Sequence, residues 1–407
     1  MVNLAHIWWG SFIGDAPFFP CAGGRRRISR GETVHVSKGI RVVVAAVILV
    51  GGSLTCSNPA SAKSDDHGKA VTVKVGESIQ AALDKAPPGA TVRVQAGSYA
   101  ENLLITKPVK LVGKDVVLTL PSAPTYGFCA GPGFVTAICV LGDIEFFPES
   151  PPIVHHYLTG VSISGLRVTG FTGDGIASFA TDGLTLKDVE SDHNGGGQGV
   201  FLLQSKNPTI RRSELHDNVL NGIGIFVGPE LNATIEQNRI YNNRATGIFL
   251  NNTVGAEIGR NDIWGNCVGV VIAYLGGPDL SSGAHVRRNL IHHNNGFCPA
   301  SPSNPPLGGI GVLLAGTHAA VVEENVINGH RNNPAALPGG GIVVVDSSIA
   351  GGGVPSDNQV NNNRLTDNQP DLRTDGLGAN NSFTGNHCMT SVPDGLCTPL
   401  VDDGDDD

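Results

Sequence analysis

The strongest constraint on this chain is a repeat running from about Ile163 to Asn368. Its units include TIEQNRIYNNRATGIFL (234–250), EIGRNDIWGNCVGVVI (257–272), HVRRNLIHHNNGF (285–297), VVEENVINGHRNN (321–333) and QVNNNRLTDNQPD (359–371), with TIRRSELHDNVLNGIGIFV (209–227) as a looser copy. Each unit opens on an apolar anchor: Ile210, Ile235, Ile258, Val286, Val322 and Val360. A second apolar residue follows five positions on, at Leu215, Ile240, Ile263, Ile291, Ile327 and Leu365. Three positions further stands Asn218, Asn243, Asn266, Asn294, His330 or Asn368. Another Asn column, Asn238, Asn261, Asn289, Asn325 and Asn363, lies two before the second apolar residue. A Gly-apolar-apolar run such as Gly247-Ile248-Phe249 closes the unit.

Anchors fall 23 to 25 residues apart where the repeat is tight, a solenoid period. The apolar runs are too short for helices, rich in Ile and Val, and bounded by Gly and Asn. One such run cannot bury its face alone. Stacked on its equivalent in the next coil, at about 4.8 Å, it builds a parallel sheet around a continuous interior. The expected fold is all-β: a right-handed parallel β-helix, its hand following from the crossover rule. Asn is expected at the corners because it tolerates left-handed backbone, with its amides hydrogen-bonding from coil to coil. A chain with 55 glycines and 5% aromatics suits such a narrow solenoid.

Ahead of the repeat, ESIQAALDKA (77–86) places Ile79, Ala82 and Leu83 on one helical face. It reads as a short N-terminal capping helix, with residues 63–118 as cap and first coils. The run SIQAALDKAPPGATVRVQAGSYAENLLITKPVKLVGKD (78–115) resembles the opening of the pectin-lyase-like superfamily, and the N-x-I-x-x-N units resemble its β-helix repeats. The resemblance spans about residues 71–385. It implies the fold and a superfamily of polysaccharide lyases, hydrolases, esterases, mannuronan epimerases and non-catalytic surface proteins. The superfamily's polygalacturonase pattern of NTD, DD, GHG and RIK is absent as a set, and so is its epimerase DPH string, to which the nearest string is Asp192-His193-Asn194.

Residues 119–157 break the repeat and read as an insertion, 158–385 as the β-helix repeats, and 386–407 as a disulfide-closed end with an acidic DDGDDD tail. Residues 1–62 read as a secretory signal peptide preceded by a start assigned too early. Lys38 and Arg41 precede the apolar run 42–54, and Ala60-Ser61-Ala62 forms the cleavage site. That run is short for a membrane span. Export leaves six cysteines. Cys129 and Cys139 share the insertion, Cys388 and Cys397 share the C-terminal end, and Cys267 and Cys298 follow the Asn corner of successive coils. All three pairs are expected as disulfides.

Residues 1–62 hold six Lys/Arg and two Asp/Glu, so the remainder carries 21 basic against 34 acidic residues, a net charge of −13. That disfavours nucleic acid as a partner and favours a neutral glycan, or an anionic one bridged by calcium. No other cofactor is implied. The expected protein is secreted, monomeric and without a membrane span in its mature form.

Two rows lie between the second apolar column and the Asn column of Asn218, Asn243, Asn266 and Asn294 on successive coils. The first is Asp192, His216, Tyr241, Trp264 and His292; the second is His193, Asp217, Asn242, Gly265 and His293. Carboxylate and imidazole suit proton transfer at a sugar, so Asp192, His193, His216, Asp217, His292 and His293 are the candidate catalytic residues. Tyr241, Trp264 and Asn242 are the candidate substrate-binding residues, the aromatics by stacking on sugar rings. Two insertions, Asn295–Gly308 and Arg331–Gly340, are expected to stand side by side as a wall along this strip. The expected function is binding or processing of polysaccharide by a lyase, epimerase or hydrolase type of chemistry. A non-catalytic surface β-helix binding a glycan or protein partner is the alternative, the strip then being a solvated corner. A transition-metal site on the His-rich rungs is a further alternative.

Overall fold

A computed structural model describes residues 70–147, 150–228, 231–276, 281–301 and 305–398. The signal-peptide segment 1–62 and the acidic tail from 399 onward lie outside the described residues. Alternating Ile, Val and Leu place one side of each strand inward, and the backbone winds into coils with three parallel faces. One coil shows the pattern. Ala233–Glu236 lies on the first face and Arg239–Tyr241 on the second, while Thr246–Gly259 covers the third face and then bends onto the first face of the next coil.

The anchors stack as the spacing requires. Leu186, Ile210, Ile235, Ile258, Val286, Val322 and Val360 pair in direct succession on the first face. Leu215, Ile240, Ile263, Ile291, Ile327 and Leu365 do so on the second. All are at most 1% exposed, so each adds roughly 1.5–3 kcal/mol of burial. Inward residues on the third face are Val200, Ile223, Ile248, Val270, Val312 and Ile342.

The corners differ from expectation in one respect. The left-handed residue is the one before each Asn, not the Asn. Along the second corner His193, Asp217, Asn242 and His293 have φ between 50 and 54°, and Gly265 and Gly329 take the same role. That twist turns the following Asn inward, where it is buried. Asn194, Asn218, Asn243, Asn266 and Asn294 then form a ladder in which each Nδ2 donates to the next Oδ1 at 2.9–3.1 Å. Backbone N–H groups share the same acceptors. His330 continues the ladder between Asn294 (3.2 Å) and Asn368 (2.8 Å). A parallel ladder joins Asn238, Asn261, Asn289, Asn325, Asn363 and Asn386.

The cap is the helix Ile79–Lys85, with Ser78 as N-cap and Ile79 and Leu83 buried. Glu101 reaches over from the first coil to accept the N–H groups of Ile79 and Gln80. The stretch 119–157 is not one loop. Ile138–Leu141 is a rung of the third face, paired with Leu103–Ile105 and Ile176–Phe179, because its apolar run can bury like any other. Hairpins flank it, Ala130–Gly131 with Phe134–Val135 and Asp143–Phe147 with Ser150–His156. All three expected disulfides are present: Cys129–Cys139, Cys267–Cys298 and Cys388–Cys397.

Candidate functional site

The two rows meet on the outside of the second face. Asp192, His216, Tyr241, Trp264 and His292 occupy one register column. The parallel rise brings their rings into contact. His216 and Tyr241 stack at 4.6 Å, Tyr241 and Trp264 at 4.4 Å, and Trp264 and His292 at 5.6 Å, all within 8° of parallel. Both faces of Tyr241 and of Trp264 are thus covered by neighbouring rings. The expectation that these faces stack on sugars does not fit this geometry; only ring edges are presented outward.

Period-two alternation puts a second outward column beside the first, and the repeat reading missed it. Arg167, Glu190, Glu214, Arg239 and Asp262 pair in succession. They would have been found by stepping two residues back from each ring. The two arginines pair with the glutamates beside them along this column. The Tyr241 hydroxyl donates to Glu214 at 2.6 Å, and Arg239 bridges Glu214 at 3.0 Å while lying over the Tyr241 and Trp264 rings. Burial and the Glu214 carboxylate hold the Tyr241 phenol protonated well above its ordinary range. His292 contacts Asp262 at 3.1 Å and His293 at 3.2 Å.

At the N-terminal end of the row sits the most organised cluster. Asp192 is 0% exposed. Arg167 holds it with two hydrogen bonds of 2.8 Å, and Thr169 donates at 2.9 Å. Burial pushes its pKa up, but Arg167, His193 and Thr169 outweigh this and leave it below the ordinary carboxylate range. It therefore stays ionised and cannot touch a substrate. His216 is 8% exposed, with Nδ1 on Asp217 at 2.7 Å and Nε2 facing Glu190 at 3.4 Å. The expectation that Asp192 or His216 meets a glycosidic oxygen is corrected by this enclosure.

His193 is different. Its Nδ1 lies 2.5 Å from Asp192 Oδ2, while its side chain is 62% exposed. A buried carboxylate orients the imidazole, leaving Nε2 toward solvent. His193 and Asn242 are exposed corner residues and Asp217 is half-buried. His293, also exposed, lies at the far end of the strip. Ligand atoms of Glu190, Asp192 and His216 lie within 4.8 Å of one another, a donor set of the kind a divalent ion takes. Arg167 already lies against both carboxylates, at 3.2 Å from Glu190 and 2.8 Å from Asp192, so an ion there would displace a guanidinium.

The two insertions do stand side by side, but Leu307 and Leu337 lean over the outside of the third face and not along the strip. Phe297–Cys298 pairs with Leu307–Gly308, Leu337 donates its N–H to Pro306 O at 2.9 Å, and the Cys267–Cys298 bridge ties the base. Among the described residues no helix is long and apolar enough to cross a membrane.

Residues 174–365 match the family model described as right handed beta helix region. No curated protein matches the chain. Among solved structures, the A-module of mannuronan C-5 epimerase AlgE6 from Azotobacter vinelandii superposes with a TM-score of 0.55 at 18% identity, covering 79% of this chain and 91% of that one. The family 28 exopolygalacturonase of Yersinia enterocolitica gives 0.50 at 13% identity, covering 79% and 76%. The Dettilon tailspike protein gives 0.50 at 12% identity, covering 78% and 66%. At these identities the likeness is one of fold. The chain has the right-handed parallel β-helix fold, with the matched right handed beta helix region over residues 174–365.

Proposed function

We propose that this protein is exported and processes a polysaccharide laid along the outside of the second face, with His193 as the proton-transferring group. One observation carries the reading: an exposed imidazole whose Nδ1 is held by a fully buried, arginine-clamped carboxylate. Asp192 fixes the tautomer and offsets the imidazolium charge that develops during proton transfer, and Nε2 faces the substrate. Three disulfides suit an extracytoplasmic setting. Solved β-helices of like fold include an epimerase of mannuronan and an exopolygalacturonase, which makes polysaccharide the class to test first. The excess of acid favours a neutral chain. From Asp192 to His292 the strip climbs four rises, about 19 Å at 4.8 Å each, long enough for three or four sugar rings. The polar edges of Tyr241, Trp264 and Asn242 are the substrate contacts.

The test is a panel of neutral and uronate polysaccharides, read by unsaturated ends, reducing ends and retention on immobilised glycan. Turnover lost in His193→Gln and Asp192→Asn with retention intact supports the reading. Retention without turnover, abolished by Trp264→Ala, selects a non-catalytic glycan-binding β-helix. Neither turnover nor retention from a folded protein overturns both.

A further inference from the structure

The outside of the third face carries residues a solvated surface does not. Phe179, Phe201, Phe226 and Phe249 follow one another with ring centroids 5.4–5.5 Å apart. Val271, Leu313 and Val343 continue the Phe249 column in register, and Arg373 ends it. These aliphatics point outward, yet all are at most 6% exposed. Two ridges cover them. One is the wall described above, which supplies Leu307 and Leu337. The other is built from Leu275 and the turn at 346–350, where Ser347 Oγ donates to Tyr274 O at 2.6 Å.

Between the ridges lies a trough of about 270 Å³. Protein interiors are close-packed, and an apolar void this size forgoes dispersion contacts along its whole lining. Its lips are apolar as well: Ile349 is 88% exposed and Leu337 44%. Polar groups gather at one end. Arg373 Nε donates to Gly339 O at 3.1 Å, and its terminal nitrogens have no partner among the described residues. The two nearby carboxylates are engaged locally. Asp375 accepts from the N–H groups of Asp346 and Leu377, and Asp346 accepts from Ser348. Asp346 and Asp375 keep their charge, but of the three charged groups lining this end only Arg373 offers donors, a fork suited to a carboxylate.

We propose that this trough binds a medium-chain aliphatic carboxylate, its chain over Val271, Leu313 and Val343 and its carboxylate paired with Arg373. Val271 to Arg373 spans three rises, about 14 Å at 4.8 Å each; an extended ten-carbon chain, whose zigzag of about 1.5 Å bonds advances roughly 1.25 Å per bond, covers about 11 Å, and the contact to the guanidinium adds about 3 Å. The inference is independent of the glycan reading, since it uses another face and other residues.

The experiment is titration calorimetry of the processed full chain with decanoate and with decan-1-ol. Decanoate should bind with one site per chain. Arg373→Met should weaken decanoate at least tenfold and leave decan-1-ol unchanged. Leu313→Trp, which fills the trough, should abolish both while the melting midpoint is retained. Ala315→Trp at the adjacent floor position serves the same purpose if Leu313→Trp fails to fold. No decanoate binding to the unaltered protein overturns the proposal. So does binding that survives filling of the trough, or decanoate affinity unchanged by Arg373→Met.

Discussion

Asp174 gives the most decisive test of how this solenoid is balanced. It sits just before the third-face strand Ile176–Phe179, 8% exposed, and its described partner is the Gln198 N–H at 2.8 Å. Burial pushes its carboxyl up to about 7, with the Gln198 bond only partly offsetting this. A raised carboxyl means the folded chain holds the proton more tightly than the unfolded one. The stabilising term is therefore full below the unfolded value near 3.8 and is lost as pH rises to about 7. A shift of about 3 units corresponds to about 4 kcal/mol. Asp174→Asn keeps the acceptor for Gln198 and removes the titration. Relative to this variant, the unaltered protein should lose about 4 kcal/mol between pH 4 and pH 8, about 6 °C in melting temperature for a folded body of this size. The assay is thermal melting of both proteins across that range, reading only their difference, so that titrations common to both cancel. Parallel curves, or a difference that grows toward acid, would refute the reasoning.

Other outcomes follow from the same structure. His330, inside the ladder that runs from Asn194 to Asn368, is pushed down to about 4, chiefly by burial; its stabilising term is present above about 6.5 and lost as pH falls toward 4, so His330→Asn should remove about 3 kcal/mol of acid sensitivity, seen as a flatter melting profile below pH 6. Asn266→Ala strips the acceptor shared by the Asn243 backbone N–H and Nδ2; two buried donors left unpaired should cost about 2–6 kcal/mol, measured by denaturant unfolding. Arg167→Ala leaves Asp192 buried without its partner and should destabilise by about 3–5 kcal/mol at neutral pH. Since the Asp192 pKa is depressed in the intact protein, that penalty should shrink once the pH falls below about 3.8. Millimolar calcium should raise the melting temperature of Arg167→Ala only, because there alone the Glu190–Asp192–His216 cluster is free of the guanidinium.

The repeat by itself determined the coil, its register and its inward columns. A period-two strand stacked once per coil leaves only one way to bury Ile235, Ile258 and Val286 together. It also determined that Cys267 and Cys298 meet, since both follow the same corner on successive coils. The rows from Asp192 to His292 and from His193 to His293 were legible for the same reason. The accessibility of each group and its hydrogen-bond partner were not. That His193 is exposed while its neighbour Asp192 is sealed depends on Arg167, which stands 25 residues earlier and reaches across a rung. That Tyr241 and Trp264 cover each other's faces depends on ring orientation, which composition does not encode. The left-handed corner fell to the residue before each Asn because the amide is needed inside, where one Oδ1 satisfies two donors of the coil beside it. The apolar trough exists only because insertions separated by tens of residues fold over one sheet. Register is a local property copied along the chain, whereas enclosure is a sum over segments that only the tertiary structure brings together.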